Sequence, residues 1–149
     1  MNKIKVIIIC LFSIGLYLDV CSQKLPEDEI NNFFNYFKND VEKAIDSLFV
    51  SNEYMNQNEL SIDNLKSQLK NTIKVLGDYY GYDFIISKKV GESMQLLSYM
   101  VKFDRQPLRF TFIFYKPQNK WRIYNFQYDA DLDEELEDAG NIFFIEGDK

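Results

Sequence analysis

The apolar residues of this chain change their spacing once, close to Gly77, and that change constrains the fold more than any other feature. Before Gly77 the apolar side chains recur every three or four residues, which is the period of an amphipathic helix. After it, short runs rich in aromatic and β-branched residues are separated by turn-forming segments, which is the pattern of strands. The sequence therefore predicts an α+β fold in which helices come first and an antiparallel sheet follows.

Two helices are predicted before the sheet. The first, over about 26–50, starts with a proline and three acidic residues, which suit a helix N-terminus. Its apolar stripe consists of Ile30, Phe33, Phe34, Phe37, Val41, Ile45 and Leu48. The second helix, over about 61–76, has Ser61 as its predicted N-cap and Gly77 as its C-terminal stop. Residues 51–60 have no apolar period and are predicted to be a connector.

Four strands are predicted between about 80 and 129. They are the segments YDFIIS, ESMQLLSYMVKF, LRFTFIFY and KWRIYNFQY, and the turns between them are close to hairpin length. Each strand should therefore pair with the next in an antiparallel meander. The tail over 130–149 starts with an acidic run that can add a helical turn. It also contains NIFFI, a segment suited to pairing at a sheet edge.

The first 22 residues have the composition of an export signal. Two lysines precede a mostly apolar run from Val6 to Leu18, and Val20 and Ser22 fit a signal-peptidase site, so cleavage is predicted before Gln23. The run is short for a permanent membrane span, which needs roughly 20 apolar residues. We therefore expect an exported protein, periplasmic or secreted, with a signal peptide over 1–22 and a single domain over 23–149.

Cys21 supports a second interpretation, in which the protein is a lipoprotein anchored at that cysteine. Val20 and Asp19 fit the usual lipoprotein signal poorly, so plain cleavage is preferred. Both cysteines of the chain, Cys10 and Cys21, lie in the signal segment. Plain cleavage then leaves no disulfide, and the stability of the domain depends on packing alone.

Charge and residue types exclude several functions. Removal of the signal takes away two lysines and one aspartate, so the net charge changes from −6 to −7, which opposes binding to nucleic acid. The chain has no histidine, and cysteine occurs only in the signal, which excludes Ser-His-Asp and Cys-His catalysis and the usual zinc sites. No glycine-rich phosphate loop is present. We expect no cofactor, no metal, no nucleic acid and no membrane span in the cleaved chain.

The acidic run over 129–135 is not a calcium-binding EF-hand loop. Such a loop needs glycine at its sixth position, where this chain has Glu134, and glutamate at its twelfth, where it has Gly140. A solvated acidic helix start is the preferred interpretation.

The strands of the meander have two different faces. With a three-residue loop at 117–119, one face carries twelve residues, all apolar or aromatic except Arg122. We call this set face A: Leu97, Tyr99, Val101, Phe103, Leu108, Phe110, Phe112, Phe114, Arg122, Tyr124, Phe126 and Tyr128. Because aromatic stripes at strand spacing are most often buried, face A is predicted to lie under the helices as the core.

The opposite side of the sheet, face B, is half apolar and half polar. Its apolar residues are Leu96, Met100, Ile113, Tyr115, Trp121 and Ile123. A contiguous apolar patch bordered by polar groups commonly marks an interface, so these residues are predicted to form a homodimer contact. The alternative is that NIFFI covers part of face B within one chain.

Helices followed by a twisted meander with the ending FTFIFYKPQNKWRIYNFQYD resemble the nuclear-transport-factor-two-like superfamily, also called ketosteroid-isomerase-like or cystatin-like α+β. The resemblance covers about 26–129 and is to small exported bacterial members of unassigned function. It implies a cone-shaped, curved sheet that encloses a pocket with the helices, and dimerisation through the outer sheet face. The candidate pocket residues are Tyr99, Tyr124, Tyr128 and Arg122, with Tyr36 and Asp83 at the mouth.

Two functions are consistent with these features of the sequence. The first is an exported, non-catalytic envelope protein that binds a partner chain or a small apolar ligand. The alternative is a ketosteroid-isomerase-like enzyme with a pocket of tyrosine and aspartate. The catalytic positions of that family match no residue here, so no catalytic residue is identified. Binding is preferred, because lone carboxylates near apolar strands usually have structural or solvent roles.

Overall fold

The computed structural model describes residues 24–137, in which helices are followed by one antiparallel sheet. The α+β class is confirmed, although four helices rather than two precede the sheet within this described range. The helices are α1 (Pro26–Phe37), α2 (Val41–Phe49), α3 (Glu53–Asn56) and α4 (Glu59–Leu76). The strands pair in chain order and are β1 (Tyr79–Val90), β2 (Met94–Phe103), β3 (Leu108–Tyr115) and β4 (Arg122–Asp129). The predicted signal peptide and the NIFFI segment lie outside the described residues.

The first predicted helix is two helices, because the chain turns between α1 and α2. The Asp40 side chain accepts a hydrogen bond from the backbone N–H of Lys43 at 2.9 Å and so caps α2. Aspartate is a strong N-cap residue, and it is the sequence signal for this break. The apolar period continues through the turn because Phe37, Ala44 and Ile45 all face the same core.

The second predicted helix, α4, starts at Glu59 with Asn58 as its N-cap residue, so the predicted cap Ser61 lies in its first turn. Gly77 ends it as predicted, with a left-handed φ of 90° that favours glycine. A side chain at this position would also collide with Asp104, whose carboxylate accepts hydrogen bonds from the Asp78 backbone and the Tyr80 hydroxyl at 2.7 and 2.6 Å. The predicted connector contains α3.

Face A forms the core on β2 and β3, as predicted, and its eight residues on these strands are all buried. Phe33 of α1 lies at the centre of the aromatic packing. Its ring centroid is 5.2 Å from that of Phe112, 5.6 Å from Phe126 and 6.2 Å from Phe110. Edge-to-face and tilted ring contacts of this kind add to the stabilisation that burial provides. Aromatic rings therefore fill the space between α1 and the sheet.

The register of β4 differs from the prediction for two reasons. The turn is longer than the predicted three-residue loop at 117–119, since Tyr115 pairs with Arg122, and the β3–β4 pair contains a bulge. Phe112 pairs with Phe126 and Phe114 with Ile123, so Tyr124 is the extra residue. Beyond a bulge, the positions whose side chains point to the core and those whose side chains point to solvent exchange places. Ile123 is accordingly fully buried, whereas Tyr124 is 56% exposed. The assignment of Arg122 and Tyr124 to face A, and of Ile123 to face B, is therefore wrong.

The bulge has a clear physical advantage over the predicted register. It buries an isoleucine and leaves a tyrosine hydroxyl and a guanidinium at the surface, so neither polar group has to lose its water. The rest of β4 keeps its predicted facing, since Phe126 is buried and Tyr128 is half-buried beside Phe110 at 6.1 Å between ring centroids.

The bulge predicts a large loss of stability for one alanine variant and almost none for its neighbour. Ile123→Ala should lower the free energy of unfolding by about 2–5 kcal/mol, the range for a buried isoleucine. Tyr124→Ala, the matched control one residue away, should change it by about 0.5 kcal/mol or less, as for an exposed side chain. Urea denaturation measures both values. A larger loss for the tyrosine variant would contradict the observed register.

Candidate functional site

The connector between α2 and α4 binds the edge of the sheet at Ile123. The Asn52 side-chain amide donates to the Ile123 carbonyl at 2.6 Å, and the Ile123 N–H donates to the Ser51 hydroxyl at 3.0 Å. These two side chains take the place that a neighbouring strand would have at this point of β4. Because Asn52 also caps α3, accepting from the backbone N–H of Tyr54 at 3.2 Å, the short helix is held against the start of β4.

This arrangement places Arg122 over two tyrosine rings. The guanidinium carbon is 5.0 Å from the ring centroid of Tyr54 on α3 and 5.8 Å from that of Tyr115 on β3. The Tyr124 ring, turned outward by the bulge, meets the Tyr115 ring edge-on at 6.4 Å. These distances are typical of cation–π and aromatic contacts.

These side chains line a cleft of about 570 Å³ at the surface. We call it the arginine–tyrosine cleft, and its lining residues are Asn52, Tyr54, Met55, Tyr115, Arg122, Tyr124 and Asn125. The three tyrosines are 63%, 37% and 56% exposed in chain order. The Arg122 guanidinium forms no hydrogen bond or ion pair with a described residue, so its N–H donors are available to a ligand.

A second cleft, of about 840 Å³, shares Arg122 with the first and has the buried carboxyl group of Glu29 in its wall. Glu29 is only 6% exposed, and its Oε2 atom has no hydrogen-bond partner. Burial raises the pKa of Glu29 above its ordinary value, while the Ser51 hydroxyl and the charge of Lys24 oppose the shift. We call this the Glu29 cleft, and Trp121 and Lys120 also line it.

The Ser51 hydroxyl lies at the junction of these features. It accepts from the Ile123 N–H, and it has one proton to donate, either to the Leu48 carbonyl at 3.2 Å or to the Glu29 carboxyl group. A buried carboxyl group with an unpaired oxygen is costly, and such groups concentrate at functional sites.

The four predicted pocket residues do not lie together. Arg122 and Tyr124 line the arginine–tyrosine cleft, whereas Tyr99 is buried in the core, where burial raises its pKa to about 12. Tyr128 is half-buried beside Phe110. Of the two predicted mouth residues, Tyr36 lies under the Lys43 ammonium at 4.6 Å, and Asp83 pairs with Lys102 at 3.0 Å on the outer face.

Face B is smaller and less apolar than predicted. Ile123 belongs to the core, and Trp121 packs half-buried against that core. Leu96, Met100 and Ile113 are half-buried on the outer side of the sheet, and Tyr115 also lines the arginine–tyrosine cleft. Leu96 and Ile113 face each other as a cross-strand pair.

The other end of the outer face carries charged pairs. Arg109 contacts Asp129 at 3.0 Å and Glu135 at 3.1 Å, so two residues of the acidic run bind a cation of the sheet. Within residues 24–137 no group of three potential metal-binding side chains occurs. Over the same residues, no helix is both long and apolar enough to cross a membrane.

Glu29 and Tyr54 are among the residues of these clefts that were not predicted from the sequence. The acidic helix start accounts for Glu29 only as a surface charge, yet Glu29 lies three residues after Pro26 and four before Phe33 on the buried side of α1. That spacing is a usable signal for its burial. Tyr54 lies in the connector, where no apolar period distinguishes it from its neighbours, so nothing local predicts its place beside Arg122.

Comparison with protein-family models, with curated proteins and with solved structures finds no match to this chain. The resemblance to the nuclear-transport-factor-two-like superfamily therefore stays a prediction.

The raised pKa of Glu29 predicts a pH-dependent stability. The folded state binds the Glu29 proton more tightly than the unfolded chain does, so the stabilisation is complete below about pH 4.5 and is lost as the pH rises through the folded pKa. Glu29→Gln does not titrate. The free energy of unfolding of this variant should therefore rise relative to wild type as the pH increases.

Urea denaturation between about pH 4 and pH 8 measures this difference. Glu53→Gln is the matched control, because Glu53 lines the same cleft but is exposed. We expect a pH-dependent difference from wild type for the Glu29 variant and not for the control. Parallel pH profiles for Glu29→Gln and wild type would show that the carboxyl group is not shifted.

Proposed function

We propose that the protein is an exported, non-catalytic binding protein whose recognition site is the arginine–tyrosine cleft. The observation that carries the proposal is Arg122, whose guanidinium contacts two partly exposed tyrosine rings and no carboxylate of the described chain. Arginine and tyrosine are among the residues that contribute most to binding energy at interfaces. Stacking on aromatic rings also orders a guanidinium before a ligand arrives, which lowers the entropy cost of binding.

The location of the cleft supports an outer rather than an inner ligand site. Phe33, Phe34 and Phe37 of α1 contact the aromatic residues of face A, and these rings occupy the region where the resemblance implies a pocket. The clefts at the β3–β4 end of the sheet are instead open to solvent and have sizes typical of ligand sites.

Binding is preferred to catalysis because the described lining of the arginine–tyrosine cleft has no carboxylate or lysine that could act as a general base. Its arginine stays protonated, as arginine does in proteins. Glu29 is the observation that favours the enzyme alternative, since a buried carboxyl group with a raised pKa suits proton transfer. Eight of the eleven described residues that line the Glu29 cleft are polar or charged, however, whereas a ketosteroid-isomerase-like site requires an apolar cavity.

The proposed place of action is outside the cytoplasm. The composition of residues 1–22 supports export and cleavage before Gln23, with a lipid anchor at Cys21 as the alternative.

Native mass spectrometry of the protein purified from its source tests binding and export together. We expect a chain that begins at Gln23 and carries an additional bound mass. In Arg122→Gln the affinity for this mass should fall at least about tenfold, the effect of losing about 1.4 kcal/mol, so the bound fraction should be lower than in wild type. Arg105→Gln is the matched control, because Arg105 is exposed in the turn between β2 and β3.

Equal occupancy in wild type and Arg122→Gln would contradict the proposed site, and so would the absence of any bound mass. An intact Met1 would contradict export, and a lipid on Cys21 would favour the anchored form.

A second copy of the chain is the partner proposed for the outer sheet face. Leu96, Met100 and Ile113 support this idea, because they are half-exposed apolar side chains on the side of the sheet opposite α1. The resemblance also implies dimers of this kind. The alternative, in which the NIFFI segment of the same chain covers this face, concerns residues outside those described.

Two substitutions in one cross-strand pair test the homodimer. Leu96→Asp combined with Ile113→Asp should convert a dimer into a folded monomer. The two new carboxylates of one chain would face the same two carboxylates of the other chain across the contact. Val75→Asp on α4, at an exposed apolar position, is the matched control and should stay dimeric. Sedimentation measures the mass, and circular dichroism checks folding. A wild-type monomer at high micromolar concentration would end the proposal.

A further inference from the structure

We infer that the arginine–tyrosine cleft recognises a carboxylate attached to a ring, as in a uronic acid or an aromatic acid. This inference rests on the proposed function, since both place the ligand in the same cleft. It adds the chemical class of the ligand, which follows from the charge, the geometry and the unused polar groups of the described lining residues.

The charge of the cleft fits a single negative group. Among the described side chains that line it, Arg122 alone carries a charge. A phosphate monoester carries about −1.5 to −2 at neutral pH and would keep part of its charge unpaired here. One guanidinium matches one carboxylate, and the two planar groups form paired N–H to oxygen hydrogen bonds.

The N–H groups of Arg122 are available for this pairing. Its contacts with Tyr54 and Tyr115 are cation–π contacts, which use the charge of the guanidinium but leave its donors unbonded. The N-terminus of α3 does not compete for the ligand, because the Tyr54 N–H already donates to the Asn52 side chain at 3.2 Å. The carboxylate therefore has one anchor, and that anchor is Arg122.

The walls of the cleft fit a ring-shaped body next to the carboxylate. Tyr54, Tyr115 and Tyr124 expose parts of their rings, and a flat apolar surface packs well on such rings. The Asn125 amide and the tyrosine hydroxyls of the cleft form no hydrogen bond with a described residue, so they can bind polar groups of the ring. A volume of about 570 Å³ lies in the usual range for small-molecule sites.

Nuclear magnetic resonance can observe the anchor directly. The chain has only three arginines, Arg105, Arg109 and Arg122, so their side-chain Nε–H signals are few. The signal of Arg122 is assigned by its loss in Arg122→Lys, a variant that keeps the positive charge and removes the planar fork. Arg105→Lys is the matched control. Backbone spectra of each variant confirm that it is folded.

Five probes separate the possible ligand chemistries. Glucuronate and phenylacetate carry a carboxylate on a sugar and on an aromatic ring. Glucose and phenylacetamide are their neutral counterparts, and inorganic phosphate is the competing anion. We expect at least one acid to shift the Arg122 signal saturably. Its neutral counterpart and phosphate should bind at least about tenfold more weakly, about 1.4 kcal/mol. In Arg122→Lys, which lacks that signal, the backbone amide shifts of the cleft report binding, and the affinity for the acid should fall by a similar factor. Arg105→Lys should bind like wild type.

The outcomes separate this inference from the proposed function. Binding of glucuronate alone or of phenylacetate alone supports the inference and identifies the kind of ring. Equal binding by the neutral probes or by phosphate overturns it, as does the lack of any shift with both acids. If the protein from its source carries a bound mass that depends on Arg122 but has no carboxylate, this inference fails and the proposed function stands. If no bound mass depends on Arg122, the proposed function fails too.

Discussion

The pair of hydrogen bonds between the connector and the backbone of Ile123 determines most of what is distinctive in this structure. Ser51 and Asn52 satisfy the N–H and the carbonyl of this one residue at an edge of the sheet. Unpaired backbone groups on an edge strand invite pairing with other chains, so the contact also protects β4. With Ile123 held inward, the bulge turns Tyr124 outward, and α3 is brought close enough for Tyr54 to stack on Arg122. The contact at the sheet edge therefore also positions the residues of the arginine–tyrosine cleft.

The aromatic core explains why recognition would occur at this end of the sheet. Face A is packed by Phe33, Phe34 and Phe37, and rings in such contacts leave little room between helix and sheet. A domain without a disulfide in its described part depends on this packing for its marginal stability, so an internal cavity would be costly. The connector meets the β3–β4 hairpin at the surface of the domain, where stability does not require such tight packing. Arg122, Tyr124 and Glu29 lie there in open clefts.

Spacing alone predicted the parts of the fold that depend on repeated burial. The faces of β2 and β3 follow strict alternation, and the stripe of α1 and α2 follows the helical period, so each residue reinforces its neighbours. The break at Asp40 depends instead on one polar contact, and the bulge at Tyr124 on two. Asn52 and Ile123 are 71 residues apart in the chain, and no local pattern connects them. Arg122, Tyr115 and Tyr124 stood out in the sequence, but their shared cleft required the bulge and a helix from that distant connector.

The charges around Arg122 differ from those around Arg109 and Lys102, two other cations of the sheet. Arg109 and Lys102 each bind carboxylates of the same chain, as expected in a protein with a net charge of −6. Acidic residues are plentiful, yet Arg122 stacks on tyrosines. An internal carboxylate at this point would occupy the N–H donors and exclude an external one, whereas aromatic rings hold the guanidinium in place without using them. The net negative charge repels anions at long range, so a bound anion must owe its affinity to short contacts within the cleft. Selectivity would then depend on the positions of one guanidinium and three tyrosine rings. A recognition site needs selectivity of this kind.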